Sequence, residues 1–176
     1  AAATVEDARA AVESCASAFT EWSATAPAER RNILQEAANL LDQRADTLIE
    51  QMRLETGASL PWSRFNARLA SDMLREAAGL TTQIKGEVIP SNKPGTLSLA
   101  IRRPAGVVVS IAPWNAPIIL AVRSFSTALA CGNTVVLKAS ELSAGTQYLL
   151  AQIMVDAGLP PGVLNFLTNA PADSAA

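Results

Sequence analysis

Histidine is absent from the 176 residues. That gap removes Ser-His-Asp and Cys-His catalysis and any imidazole metal ligand. Cysteine is scarce: Cys15 and Cys131 are the only two, too few for a four-thiolate zinc site or a disulfide framework. No metal is expected, and the sparing use of cysteine points to a reducing compartment, so the expected location is cytoplasmic. No apolar run approaches the roughly 18–20 residues that span a bilayer. The N-terminus, AAATVEDARA, carries acids where a signal peptide would be basic. No membrane partner is expected. Charge of one sign is lacking too: 14 Lys+Arg against 16 Asp+Glu leave −2, with no electrostatic footprint for nucleic acid. The adjacent pairs Arg30-Arg31 and Arg102-Arg103 read as solvated surface. Gly-x-Gly is missing altogether, which excludes the ordinary dinucleotide fingerprint.

What is present is ordinary globular material, 49% apolar and 17% charged, long enough for one domain with a sizeable core. Residues 4–22 read as an amphipathic helix with Val5, Ala8, Val12, Cys15, Phe19 and Trp22 on one face, and Thr4 with Asp7 resembles a capping box. Pro27 opens a second helix that the periodicity carries unbroken to Gly57, a left-handed stop. A third follows Ser59-Leu60-Pro61, with Phe65, Leu69, Met73 and Ala77 inward, and ends near Gly79. Residues 86–103 hold short extended pieces. Leu97, Leu99 and Ile101 alternate with Ser98, Ala100 and Arg102, as in a strand with one buried face.

From Val107 the pattern alternates strand and helix. Val107–Ile111, Thr134–Leu137 and Val163–Leu167 read as buried strands, with helices over 117–130 and 144–157 between them. The predicted fold is α/β: N-terminal helices over 4–80, a hairpin-like segment, then a βαβαβ unit over 107–167 that is half of a doubly wound parallel-sheet domain. The small, polar NAPADSAA tail stops soon after the third strand, which reads as an incomplete domain.

Ligands of open α/β sheets bind at the carboxyl ends of the strands. Two such ends carry unusual residues. One is Ile111-Ala112-Pro113-Trp114-Asn115-Ala116-Pro117, where Asn115 sits between two stiffening prolines. Its position alone is compatible with a helix cap or with an amide that steadies a developing oxyanion. The other is Lys138-Ala139-Ser140-Glu141. A carboxylate there accepts from both hydroxyls of a ribose, whereas the bland alternative is a surface ion pair worth under about 1 kcal/mol. A ribose on Glu141 would favour NAD, since the carboxylate repels the extra phosphate of NADP. Cys131, in ALACGN, lacks any activating histidine and reads as a small packing residue, while Cys15, Trp22, Phe19 and Phe65 read as core.

The run PAGVVVSIAPWNAPIILAVRSFSTALACGNTVVLKASELSAGTQYLLAQIMVDAGLPPGVLNFLT resembles the aldehyde dehydrogenase superfamily, as does the earlier FTEWSATAPAERRNILQEAANLL with its later ETG. Within it, the chain is most similar in look to the branch acting on benzaldehyde, salicylaldehyde and vanillin. The resemblance implies an N-terminal portion whose Asn115 steadies the oxyanion formed when a cysteine adds to an aldehyde. That cysteine and the glutamate base lie in segments this chain does not contain. It implies that Ile111, Ala112, Pro113 and Trp114 line the nicotinamide-ribose side of an NAD site. Lys138 and Glu141, with Ser140 beside them, would hold the adenosine ribose. Ala139 departs from the family's usual proline.

For substrate, the resemblance implies that the helix after Asn115 lines a tunnel. Ala116 leaves room for a planar ring beside Leu120, Arg123 meets a ring substituent, and Trp62 supplies an aromatic wall. The alternatives leave Arg123 a surface or subunit contact and Trp62 a core residue. The alternating strand over 96–102 resembles an oligomerisation segment, which implies a homodimer or homotetramer in the intact enzyme. The 176 residues alone are expected to be inactive. The rival reading is a non-catalytic α/β module that binds a nucleotide or a protein partner.

Overall fold

The computed structural model describes residues 2–170. Residues 171–176 of the polar tail lie outside them. Four helices come first: α1 (Val5–Ala24), α2 (Pro27–Gln43), α3 (Ala45–Thr56) and α4 (Leu60–Leu80). The Thr4–Asp7 capping box forms as expected, and Gly57 ends α3 at φ 67. The strands β1 (Glu87–Ile89) and β2 (Ser98–Ala100) make an antiparallel ribbon. Then come β3 (Val107–Ile111), α5 (Pro117–Ala130), β4 (Thr134–Lys138), α6 (Ala144–Asp156) and β5 (Leu164–Leu167). The three strands pair in parallel in the order β3-β4-β5.

Alternation along β4 divides the core. Val136 points to α1, where it meets Ala11 and Cys15. Val135 and Leu137 point the other way, into the larger cluster with Phe125, Leu129, Leu150 and Ile153 of α5 and α6. The helices α2 to α4 complete that cluster with Leu34, Leu41, Leu48, Met52 and Leu74. Each such fully enclosed side chain contributes about 1.5–3 kcal/mol. A main-chain tie binds the sheet's outer layer: Thr134 Oγ1 donates to the Cys15 carbonyl at 3.0 Å.

Several expectations are corrected. The core stripe of α1 is Ala11, Cys15 and Trp22, while Val5 and Val12 are exposed. The predicted second helix is two, broken at Arg44 (φ −104, ψ 14), whose guanidinium reaches Asp156 of α6 at 2.5 Å. In α4 the buried face carries small and polar residues, Ser63, Asn66, Ala67, Ala70 and Ser71, and Phe65 lies outside it, half exposed. Small residues let α4 approach α2 and α5 closely. The ribbon buries neither face: Val88, Leu97, Leu99 and Ile101 are all exposed. In β3, Val109 and Ile111 are 63% and 70% exposed, so this strand is covered on one side only. Arg30 is not solvated surface but 6% exposed, donating to the carbonyls of Ala130 and Thr25. Cys131 is not core; it is half-buried at the end of α5.

Candidate functional site

The site is assembled at the carboxyl ends of β3 and β4. Ile111 and Lys138 are register partners, and the Ala112 amide extends the ladder by donating to the Lys138 carbonyl at 3.1 Å. Beyond that point the two chains diverge into Pro113-Trp114-Asn115 and Ala139-Ser140-Glu141. One side chain spans the gap. Gln147 of α6, wholly buried, accepts from the Ser140 amide at 2.9 Å and donates to the Pro113 carbonyl at 3.1 Å. Both turns are thereby held by one amide that has no water to exchange with.

On the first turn, Asn115 is exposed and its carboxamide makes no hydrogen bond among the described residues. It is not a helix cap: α5 has Ala116 at its N-cap position, with no side-chain cap bond, and Pro117 at the first turn. An amide left unengaged beside a helix start, on a backbone stiffened by Pro113 and Pro117, is able to donate to an oxygen that gains charge. The Asn115 carbonyl is engaged, accepting from Trp62 Nε1 at 3.2 Å. Trp62 in turn stacks on Phe65, with centroids 5.5 Å apart and planes at 21°. So the structure brings Trp62, Phe65 and Asn115 together at the edge of the crevice.

On the second turn, Lys138 Nζ lies 3.6 Å from Glu141 Oε2, the two side chains 32% and 24% exposed. Ser140 is turned inward, and its hydroxyl accepts from the Leu142 amide at 3.2 Å. Ala112 and Ala139 are buried and contribute backbone only. Beside this pair the exposed faces of Val109 and Ile111 form an apolar floor. A carboxylate and an ammonium at a strand end suit a vicinal diol, and the floor suits a flat ring. The donor set therefore fits one end of a dinucleotide. Ala116 is buried, Leu120 half-buried, and Arg123 exposed in a shallow hollow with Met73 and Glu76 of α4.

The sequence reasoning missed three residues. Phe65 was read as core on helical spacing. Gln147 carried one faint signal, an uncharged polar residue inside an apolar helix. Glu55 carried none: its carboxylate accepts from the Gly145 and Thr146 amides at 2.7 and 2.8 Å and from the Thr146 hydroxyl at 2.6 Å. It closes the N-terminus of α6 from a position 90 residues upstream. No group of His, Cys, Asp and Glu able to hold a metal occurs among the described residues. No described helix is long and apolar enough to cross a membrane.

An open parallel sheet with a polar crevice outside its strand ends belongs to the ligand-binding class of doubly wound α/β proteins. The aldehyde dehydrogenase family matches over residues 1–176, and the chain belongs to that family. It is 57% identical over 175 residues to a vanillin dehydrogenase of Pseudomonas fluorescens, covering 99% of this chain and 36% of that protein. It is 42% identical over 163 residues to a benzaldehyde dehydrogenase [NAD(+)] of Pseudomonas putida, covering 92% of this chain and 34% of that one. Among solved structures, a salicylaldehyde dehydrogenase from Pseudomonas putida G7, complexed with salicylaldehyde, superposes with a TM-score of 0.97 at 44% identity over 99% of this chain and 36% of that chain. The chain thus spans about a third of the length of the relatives it matches.

Proposed function

We propose that these residues form the cofactor-holding and oxyanion-stabilising part of an NAD-dependent dehydrogenase of aromatic aldehydes, yielding the carboxylic acid. The observation that carries the reading is the convergence of the Asn115 turn and the Lys138–Glu141 turn at one strand-end crevice, tied by Gln147. Lys138 and Glu141 hold the adenosine ribose, with Ser140 shaping the turn between them. Ile111, Ala112, Pro113 and Trp114 run along the nicotinamide-ribose side. The charge of Glu141 favours NAD over NADP, because it repels a phosphate on the same ribose. When bound, the nicotinamide supplies the hydride acceptor. The Asn115 carboxamide donates to the aldehyde oxygen as that oxygen becomes anionic, and Trp62 steadies the turn through the Asn115 carbonyl.

The names of three relatives, vanillin, salicylaldehyde and benzaldehyde dehydrogenase, support an aromatic substrate. Trp62 stands as the aromatic wall, Ala116 and Leu120 leave room for the ring, and Arg123 meets its substituent. The nucleophile comes from outside the 176 residues. Cys15 is enclosed, and Cys131 lies at the far end of the 14-residue α5, about 20 Å from Asn115. Residues 1–176 by themselves turn over no aldehyde. Exposed Leu97, Leu99 and Ile101 on the β1–β2 ribbon fit a subunit contact in a homodimer or homotetramer. The free thiols fit the cytoplasm.

In the full-length enzyme, Asn115→Ala is expected to lower kcat by about 10²–10³-fold with the KM for NAD unchanged. Glu141→Gln is expected to raise the KM for NAD and narrow the preference over NADP. Steady-state kinetics on benzaldehyde decides: a kcat within twofold of wild type for Asn115→Ala overturns the reading.

A further inference from the structure

At the opposite end of α5 from Asn115 lies a hollow of about 660 Å³. Its walls come from the corner between α1 and α2, the segment after α4 and the segment entering β3. Arg30, Arg102 and Arg103 line it, with Cys131, and no Asp or Glu does. Arg30 is buried, yet no carboxylate stands within ion-pair distance of it among the described residues. Its Nε donates to the Ala130 carbonyl at 3.1 Å and its Nη1 to the Thr25 carbonyl, while Nη2 has no partner among the described residues. Two carbonyls satisfy hydrogen bonds without cancelling a charge, and the C-terminal dipole of α5 offsets about half of one at most. A buried cation with no counter-charge is costly unless something anionic meets it.

Two further observations point the same way. Arg102 and Arg103 make no ion pair among the described residues and both line this hollow beside Arg30, Arg102 also lining a neighbouring hollow with Lys85 and Glu87, so the concavity carries an excess of positive charge. The N-terminus of α2 also opens here: Pro27 lines the hollow, and Ala26 offers no side-chain cap to the first amides. The volume lies within the range of small-molecule sites. Leu80, Ile84 and Pro104 supply apolar wall for a carbon skeleton.

We infer that this hollow binds a small polyanion, a phosphate ester or a polycarboxylate, through Arg30, Arg102 and Arg103. The site is separate from the strand-end crevice by the length of α5 and does not rest on the function proposed above. Arg102 and Arg103 provide the adjustable contacts and Arg30 the fixed one. Cys131 stands on the wall, where a bound anion covers it.

The test is calorimetric titration of the full chain with inorganic pyrophosphate and with citrate at low salt. Saturable binding is expected for at least one of them; stronger binding of pyrophosphate assigns the phosphate class, and of citrate the carboxylate class. Arg102→Gln and Arg103→Gln, both at exposed positions, are each expected to weaken it about tenfold. At ten times Kd, alkylation of the Cys131 peptide by iodoacetamide is expected to slow about tenfold. No saturable binding of either anion, indifference to both substitutions, or unchanged alkylation of Cys131 overturns the proposal.

Discussion

Single side chains decide how the two thiols behave. Cys15 is wholly enclosed between α1 and the sheet, and burial pushes its thiol above the usual range despite a hydrogen bond from the Asn165 amide. Cys131 is half-exposed. Iodoacetamide is therefore expected to label Cys131 in the native protein and Cys15 only in denaturant, as peptide mass spectrometry will read. Asp42 gives a pH dependence of known sign. Burial pushes its carboxyl up, but hydrogen bonds from Arg75 (2.6 Å) and Ser71, with the Arg75 charge, outweigh that and hold it below its ordinary 3.8. A carboxyl depressed in the folded state stabilises fully at pH values above its unfolded pKa, and that contribution is lost as pH falls through the folded value. Asp42→Asn should thus reduce stability near neutrality and flatten its loss in acid. Thermal melts from pH 6 downward to about pH 3 check this; parallel curves for both proteins would contradict it.

At the scale of elements, the clearest dependence is that of α6 on α3. Glu55 accepts three hydrogen bonds at the start of α6, and Gly145 is what admits it, since a Cβ there would stand 2.7 Å from Glu55 Oε1 and 2.6 Å from Gln51 Nε2. Glu55→Gln keeps the shape but weakens the charge-assisted bonds. It is expected to cost about 1–3 kcal/mol and lower Tm by several degrees, measured by calorimetry. Gly145→Ala makes the ends of Gln51 and Glu55 move aside and is expected to cost no more than Glu55→Gln, since both are flexible side chains.

Helix legibility followed local punctuation. The α5 boundaries, 117 to 130, were read correctly because Pro117 sits at one end and Cys131-Gly132 at the other. The break at Arg44 was not legible, for it has no proline or glycine to announce it; it arises where α3 turns to pack Leu48 and Met52 into the core. Half-exposed β3 was misread for a similar reason. A run of Val and Ile looks the same whether its second face is covered or, as at Val109 and Ile111, left open.

For the molecule as a whole, the motif residues were legible and their supports were not. PWN and LKASE announced both strand ends from local sequence. Gln147, which ties the two ends across 34 residues, and Glu55, which closes the start of the Gln147 helix from 90 residues upstream, act across separations that no local pattern encodes. The exposed ribbon belongs to this scale too. Two strands of three residues with Val88, Leu97, Leu99 and Ile101 in solvent are marginal alone and look outward for cover. Leu97→Lys with Leu99→Lys is expected to shift the full-length enzyme toward smaller assemblies in light scattering while its Tm falls. An unchanged mass would remove the ribbon from the subunit contact.

The Gln147 amide carries a consequence in the language of linkage. Because one rigid group bonds the backbone of both turns, ordering either turn orders the other, and the conformational entropy is lost once. On the function proposed above, a ligand end seated on the Lys138–Glu141 turn would raise the affinity of the Pro113–Asn115 turn for its own ligand group, through the Gln147 amide that bonds both. Reciprocity would require the same coupling factor in the reverse direction.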